Sequence, residues 1–139
     1  MRVLLDTNIL LDVLLARVPH AESAVRLLAA VESGVITGVV SATSVTTVFY
    51  LATKTVGARR AKTHVHTLLT LCEVAAITDA VLGRALDAGF ADFEDAVIHE
   101  AARSARCTGI VTRDAQGFKR ADLPIYSPTE LLAVIQTNR

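Results

Sequence analysis

Apolar and polar positions fall along the chain in blocks whose period changes from one block to the next. Val3, Leu4 and Leu5 form a continuous apolar run that stops at Asp6. A run of this length suits a strand covered on both faces, as in a parallel sheet. Ile9, Leu10, Val13 and Leu14 then recur at helical spacing, with Thr7 or Asn8 placed to cap that helix. Pro19 marks a break, and His20 to Ser33 carries Ala24, Leu27, Leu28 and Val31 at the same period before Gly34 closes it. Val35 to Ser41 is rich in β-branched residues and reads as the second strand.

Ser41 or Ser44 can cap a third helix carrying Val45, Val48, Phe49 and Leu51 and ending near Gly57. Arg59 to Cys72 predicts a fourth, with Val65, Leu68, Leu69 and Cys72 inward. A short strand over Val74 to Ile77 leads to a helical segment capped by Thr78 or Asp79 and stopped by Gly89. Asp92 to Arg106 carries the strongest helix signal. Asp92, Glu94 and Asp95 lie in its first turn and Arg103 and Arg106 in its last, each complementing the helix dipole. Its Ala96, Ala101, Ala102 and Ala105 suit close packing on a sheet. Gly109 to Thr112 is a fourth strand, Leu123 to Tyr126 a short edge strand, and Pro128 opens a terminal helix through Ile135. Strands alternating with helices predict one α/β domain over residues 1–139, built on a parallel sheet.

Composition narrows this picture. The apolar fraction is 52% and the mean hydropathy +0.45, yet no charge-free apolar run approaches the roughly 18 residues of a membrane span. Asp6 and Asp12 interrupt the N-terminus, which lacks the pattern of a signal peptide. Cys72 and Cys107 match no metal or CxxC spacing and read as buried free thiols, so the expected compartment is the cytoplasm. Fourteen basic and fourteen acidic residues cancel. Their distribution does not: Ser33 to Cys72 contains no acid but holds Lys54, Arg59, Arg60 and Lys62. A basic rim beside an acidic pocket and ordinary solvated helix faces both fit that asymmetry.

The acids indicate where chemistry would lie. Asp6 ends the first strand and Asp114 follows the fourth, both at carboxyl ends, where open α/β sheets place their ligands. The helix starting at Asp92 runs into the fourth strand, so Asp92 and Asp95, on one helix face, return to the same edge. Carboxylates converging without matched cations raise one another's pKa, and such a cluster suits Mg²⁺ or Mn²⁺ held through oxygen. Glycine-rich phosphate loops, a nucleophile elbow and zinc spacings are absent. His64 and His66, two apart on a helix, face different ways, and His99 is expected to pack rather than ligate.

Three motifs in order, Asp6-Thr7-Asn8-Ile9-Leu10-Leu11-Asp12, Asp92-Phe93-Glu94-Asp95-Ala96-Val97 and Ile110-Val111-Thr112-Arg113-Asp114, resemble those of the PIN-domain family, including its VapC-type toxins. The resemblance extends through Pro128 to Leu132. It implies a Rossmann-like α/β/α sandwich with a central parallel sheet of four to five strands, often dimeric. The implied activity is a Mg²⁺- or Mn²⁺-dependent ribonuclease, with RNA as substrate and a cognate antitoxin as inhibitor. Carried over by position, Asp6, Asp95 and Asp114 are the catalytic and metal-holding acids, with Asn8, Thr47 and Thr112 in support. The family's second acid is missing: Thr47 stands in its place, and Asp92 is the nearest substitute. Gly117 likewise stands where many members have Asp before Phe118. Charge alone nominates Lys54, Arg59, Arg60, Arg113, Lys119 and Arg120 for the RNA backbone. The rival reading is a degenerate PIN fold that binds RNA or protein without cutting. A phosphoaspartyl phosphotransferase is disfavoured because Asn8 and Leu10 replace the Asp and Thr of its Asp-x-Asp-x-Thr motif.

Overall fold

A computed structural model describes residues 1–138. Five parallel strands form one sheet in the order β3-β2-β1-β4-β5. They are β1 (Arg2–Leu5), β2 (Thr37–Ser41), β3 (Glu73–Ala75), β4 (Gly109–Val111) and β5 (Ile125–Tyr126). The helices are α1 (Thr7–Leu14), α2 (Ala21–Glu32), α3 (Ala42–Val56), α4 (Ala58–Leu71), α5 (Asp79–Asp87), α6 (Phe93–Ser104) and α7 (Pro128–Thr137), with a short 3-10 turn over Ala115–Phe118.

The apolar run that opens the chain becomes the centre of the sheet, with Val3 paired to Gly38 on one side and to Gly109 on the other. Successive side chains then alternate between two cores. Val3, Leu5, Val40 and Val111 pack with Ile9, Leu10, Leu27, Val48, Leu68 and Leu131 from α1 to α4 and α7. Leu4, Val39 and Ile110 pack on the other face with Val81 and Ala85 of α5 and with Ala96, Val97, Ala101 and Ala102 of α6. The architecture is an α/β/α sandwich. The small residues of α6 are buried as expected, and Ala105 caps its C-terminus.

Several local expectations are corrected. Asp6, rather than Thr7 or Asn8, caps α1, accepting a hydrogen bond from the Thr7 amide at 2.8 Å. β2 starts at Thr37, leaving Val35 on the surface. β3 starts one residue before the expected Val74 to Ile77 and ends two residues short of it. In α4 Leu69 is exposed and Ala61 takes the inward position, while in α3 Ala52 is buried and Leu51 is exposed. Ser41 caps α3 and Thr78 caps α5, which decides both open choices. Cys72 and Cys107 are free and buried, and burial pushes each thiol up to about 11.

Two buried polar clusters carry weight the sequence did not announce. Asp12, fully buried in α1, accepts from both Nε and Nη2 of Arg113 and from Nε of Arg17, the latter at 2.9 Å. Glu100, buried in α6, meets His99 Nδ1 at 2.9 Å and the guanidinium groups of Arg84 at 3.4 Å and Arg103 at 3.5 Å. His99 Nε2 accepts from the Asp122 amide, and its ring packs on Phe90. His99 therefore packs, as expected. His64 lines an apolar groove with Leu10, Val13 and Leu71, whereas His66 sits with Arg59 and Lys62 in a different one.

Candidate active site

The carboxyl edge of the sheet collects the acids. Asp6 leaves β1 as its amide donates to Val111 O, and its carboxylate turns back to cap α1. Thr112, the residue after β4, donates its hydroxyl to Asp6 Oδ2 at 2.7 Å and accepts the Asp114 amide at 3.0 Å. Asn8 spans the same gap. Its Nδ2 lies 3.4 Å from Asp6 Oδ2 and 3.3 Å from Thr112 Oγ1, and its Oδ1 accepts the Arg113 amide. These bonds fix the two strand ends relative to each other. They also make Asn8 and Thr112 the supports of Asp6. Burial nonetheless raises the Asp6 carboxyl above the usual range, opposed by its bonds from Thr112 and Thr7.

Asp95 enters from the first turn of α6. Asp92 caps that helix, its Oδ1 accepting the Asp95 amide at 3.2 Å. Burial, reinforced by the charges of Asp6, Asp92, Asp114 and Glu94, pushes the Asp95 carboxyl from 3.8 up to about 7. Asp114 caps the 3-10 turn, accepting the Gly117 amide at 3.3 Å. Among the described residues no Lys, Arg or His lies within ion-pair distance of Asp6, Asp92, Glu94, Asp95 or Asp114. The four sequence-nominated acids are thus brought to one edge without a counter-cation. As they stand, no three His, Cys, Asp or Glu side chains among the described residues close around a single point.

The wall supplied by β2 and α3 has hydroxyls in place of an acid. Thr7 Oγ1 lies 2.7 Å from Ser44 Oγ, which lies 3.0 Å from Ser41 Oγ, with Thr43 Oγ1 2.9 Å beyond. Thr47, one turn on, is half-buried and donates back to the Thr43 carbonyl at 3.1 Å within its own helix. Sequence reasoning assigned Ser41, Ser44 and Thr7 only capping roles. Clustered hydroxyls are common at helix starts, so their link across two elements left no separate signal.

The nominated cations scatter. Lys119 and Arg120 line a groove of about 240 Å³ between Gly89–Asp92 and Gln116–Arg120, which shares Asp92 and Gly117 with the acid edge. Lys54 sits 4.3 Å over the Tyr50 ring, and Arg59 lies in the separate groove with Lys62. Arg60 is exposed on α4. Arg113 has its guanidinium committed to Asp12.

A parallel sheet of this order, with acids from β1, α6 and the segment after β4 at one edge, defines an α/β fold with an acidic site at the strand ends. Comparison of the sequence with family profiles matches residues 2–116 to the PIN domain. The chain belongs to the PIN-domain family. No curated protein matches it in sequence.

Solved structures share the fold. A toxin–antitoxin complex from Klebsiella pneumoniae is 23% identical, covers 91% of this chain and 97% of that one, and gives a TM-score of 0.68. DNA-bound VapBC from Salmonella typhimurium is 17% identical over 92% and 98%, with a TM-score of 0.71. A sarcin-ricin loop cleaving VapC toxin from Mycobacterium tuberculosis is 18% identical over 78% and 86%, at 0.63.

Proposed function

We propose that this PIN domain is a Mg²⁺- or Mn²⁺-dependent endoribonuclease of the cytoplasm, the toxin of a toxin–antitoxin pair. The observation that carries the reading is the cluster of Asp6, Asp95 and Asp114 without a neutralising side chain, with Asp95 raised to about 7. The donor set fits a hard divalent cation: it is all oxygen, acid-rich and partly open to water. Asp6, Asp95 and Asp114 would hold the ion with retained waters and a substrate phosphate, with Asp92 nearby. Such an ion, when bound, activates water and offsets charge on the phosphodiester.

The chain's own part is orientation. Thr112 and the Thr7 amide aim Asp6, the Asp92 cap fixes the turn that carries Asp95, and the 3-10 turn presents Asp114. The groove holding Lys119 and Arg120 is the route we assign to the RNA backbone, because it opens onto the same edge. Replacing both with Glu is expected to weaken RNA binding about tenfold or more and to lower its salt dependence. The same changes at Arg59 and Arg60 should do less. Filter binding at several salt concentrations compares the two pairs.

Similar solved structures include toxin–antitoxin complexes, which supports a cognate antitoxin as partner. Leu82 and Leu86, exposed one turn apart on α5, support a homodimer. No described helix is long and apolar enough to cross a membrane.

One observation favours a second reading, an RNA- or protein-binding PIN fold without catalysis: Thr47 puts a hydroxyl, bonded into its own helix, where an acid is expected. Cleavage of a panel of structured RNAs with Mn²⁺ decides between them, using wild type, Asp95→Asn and Thr47→Glu. Cleavage by wild type that Asp95→Asn abolishes supports the nuclease. Wild type inactive and Thr47→Glu active supports the binding module.

A further inference from the structure

Gly117 lies in the 3-10 turn, yet its backbone does not require glycine. The glycines with positive φ are Gly34, Gly57 and Gly89, and Gly117 is not among them. Any residue can adopt its conformation. What a side chain would displace is the pair of carboxylates beside it. A Cβ built at Gly117 would fall 2.6 Å from Asp95 Oδ2 and 2.9 Å from Asp114 Oδ2, with Asp114 Cγ at 3.4 Å. The first two distances are shorter than real Cβ contacts. The only heavy atoms that close belong to the two acids. The amide of Gly117 meanwhile donates to Asp114 Oδ1, holding that carboxylate over the turn.

We propose that Gly117 is a positioning residue for the acid site: its bare Cα is the surface against which Asp95 and Asp114 face each other. Asp95 Oδ2 and Asp114 Oδ2 together occupy the volume that a side chain at 117 would fill. A methyl group there rotates Asp95 or Asp114 outward and separates two carboxylates that would hold a small cation. Mg²⁺ and Mn²⁺ tolerate little change in ligand spacing, so the effect falls on binding before it falls on folding. This rests on the metal-dependent reading above, and the test separates the two.

The experiment is titration of Mn²⁺ followed by electron paramagnetic resonance of the free ion, with no RNA present. Wild type, Gly117→Ala and Ala115→Gly are compared, the last altering the same turn without adding a side chain between the acids. Gly117→Ala is expected to keep the far-ultraviolet circular dichroism of wild type and to bind Mn²⁺ at least tenfold more weakly, with Ala115→Gly within threefold of wild type. Equal Mn²⁺ affinity in wild type and Gly117→Ala overturns the inference while leaving the metal reading intact. No Mn²⁺ uptake by wild type at millimolar concentration overturns both.

If Gly117→Ala unfolds, its melting temperature is measured again with Asp95→Ala and Asp114→Ala also present. Recovery there means the two carboxylates were what excluded the methyl group. A loss of stability that persists in that background shows that the glycine serves the turn itself, and the inference is wrong.

Discussion

Asp95→Asn is expected to make the metal-free protein more stable at neutral pH while abolishing cleavage. The Asp95 carboxyl titrates at about 7 rather than 3.8, first because it is buried and then because Asp6, Asp92, Asp114 and Glu94 repel its charge. The folded chain therefore holds this proton more tightly than the unfolded chain does. The stability tied to it is fully present below the unfolded value and is lost as pH rises through the folded one, so metal-free wild type weakens between about pH 4 and pH 7. Asp6 shifts in the same direction.

Three pKa units convert to about 4 kcal/mol. Asp95 is only half-buried, so water screens its repulsion and about 1–2 kcal/mol is the expected gain for the Asn variant near pH 8. Urea unfolding from pH 4 to 8 without metal checks this: wild type declines and Asp95→Asn is flatter. Cleavage by the variant should fall about a hundredfold or more, because the removed charge is one of those that would hold the ion. A flat wild-type profile would mean that the acids are better solvated than their burial indicates.

Asp12→Ala is expected to cost about 3 kcal/mol, the range for breaking a buried ion pair by removing one partner. Asp12 is fully buried and holds two guanidinium groups, with Arg113 bound through both Nε and Nη2. The variant leaves a void in α1 and frees Arg113, which lies between Thr112 and Asp114 in the segment supporting the site. The partly exposed Arg17 and Arg113 can turn to solvent, which keeps the cost from rising further. A fall in melting temperature of about 10 °C is expected for a chain of this size. Asp12→Asn, which keeps the volume, should fall between the two proteins. A change under about 1 kcal/mol in Asp12→Ala would show that the pair contributes no net stability.

The strands and the acid edge were legible in the sequence because they depend on local pattern and direction. A three-residue apolar run ending at Asp6, and a helix beginning with acids and leading into a strand, suffice to place Asp6, Asp95 and Asp114 at one edge. What could not be read depends on partners far along the chain. Asp12 meets Arg113 across 101 positions, so a charge inside an apolar helix pattern reads as solvated and Arg113 reads as free for RNA. Glu100 looks like a surface residue of α6 until α5 supplies Arg84. Leu69 and Ala61 show the limit of periodicity: the expected inward Leu69 is exposed and Ala61 is buried instead. Neither the space filled at Gly117 nor the hydroxyl link from Thr7 to Ser44 has a sequence signal, since each exists only between elements.

The central position of β1 has a consequence for motion. Hydrogen-bonded on both sides and wholly buried from Val3 to Leu5, this strand belongs to the part of the fold that opens only with global unfolding. Asp6 hangs from it directly. Asp114 and Gly117 sit instead in the 3-10 turn beyond the last residue of β4, outside the sheet and tied to the core through buried Phe118. The nominated acids thus hang from unlike supports, Asp6 from the central strand and Asp114 from a capped turn, so an ion held by both would tie that turn to the middle of the sheet.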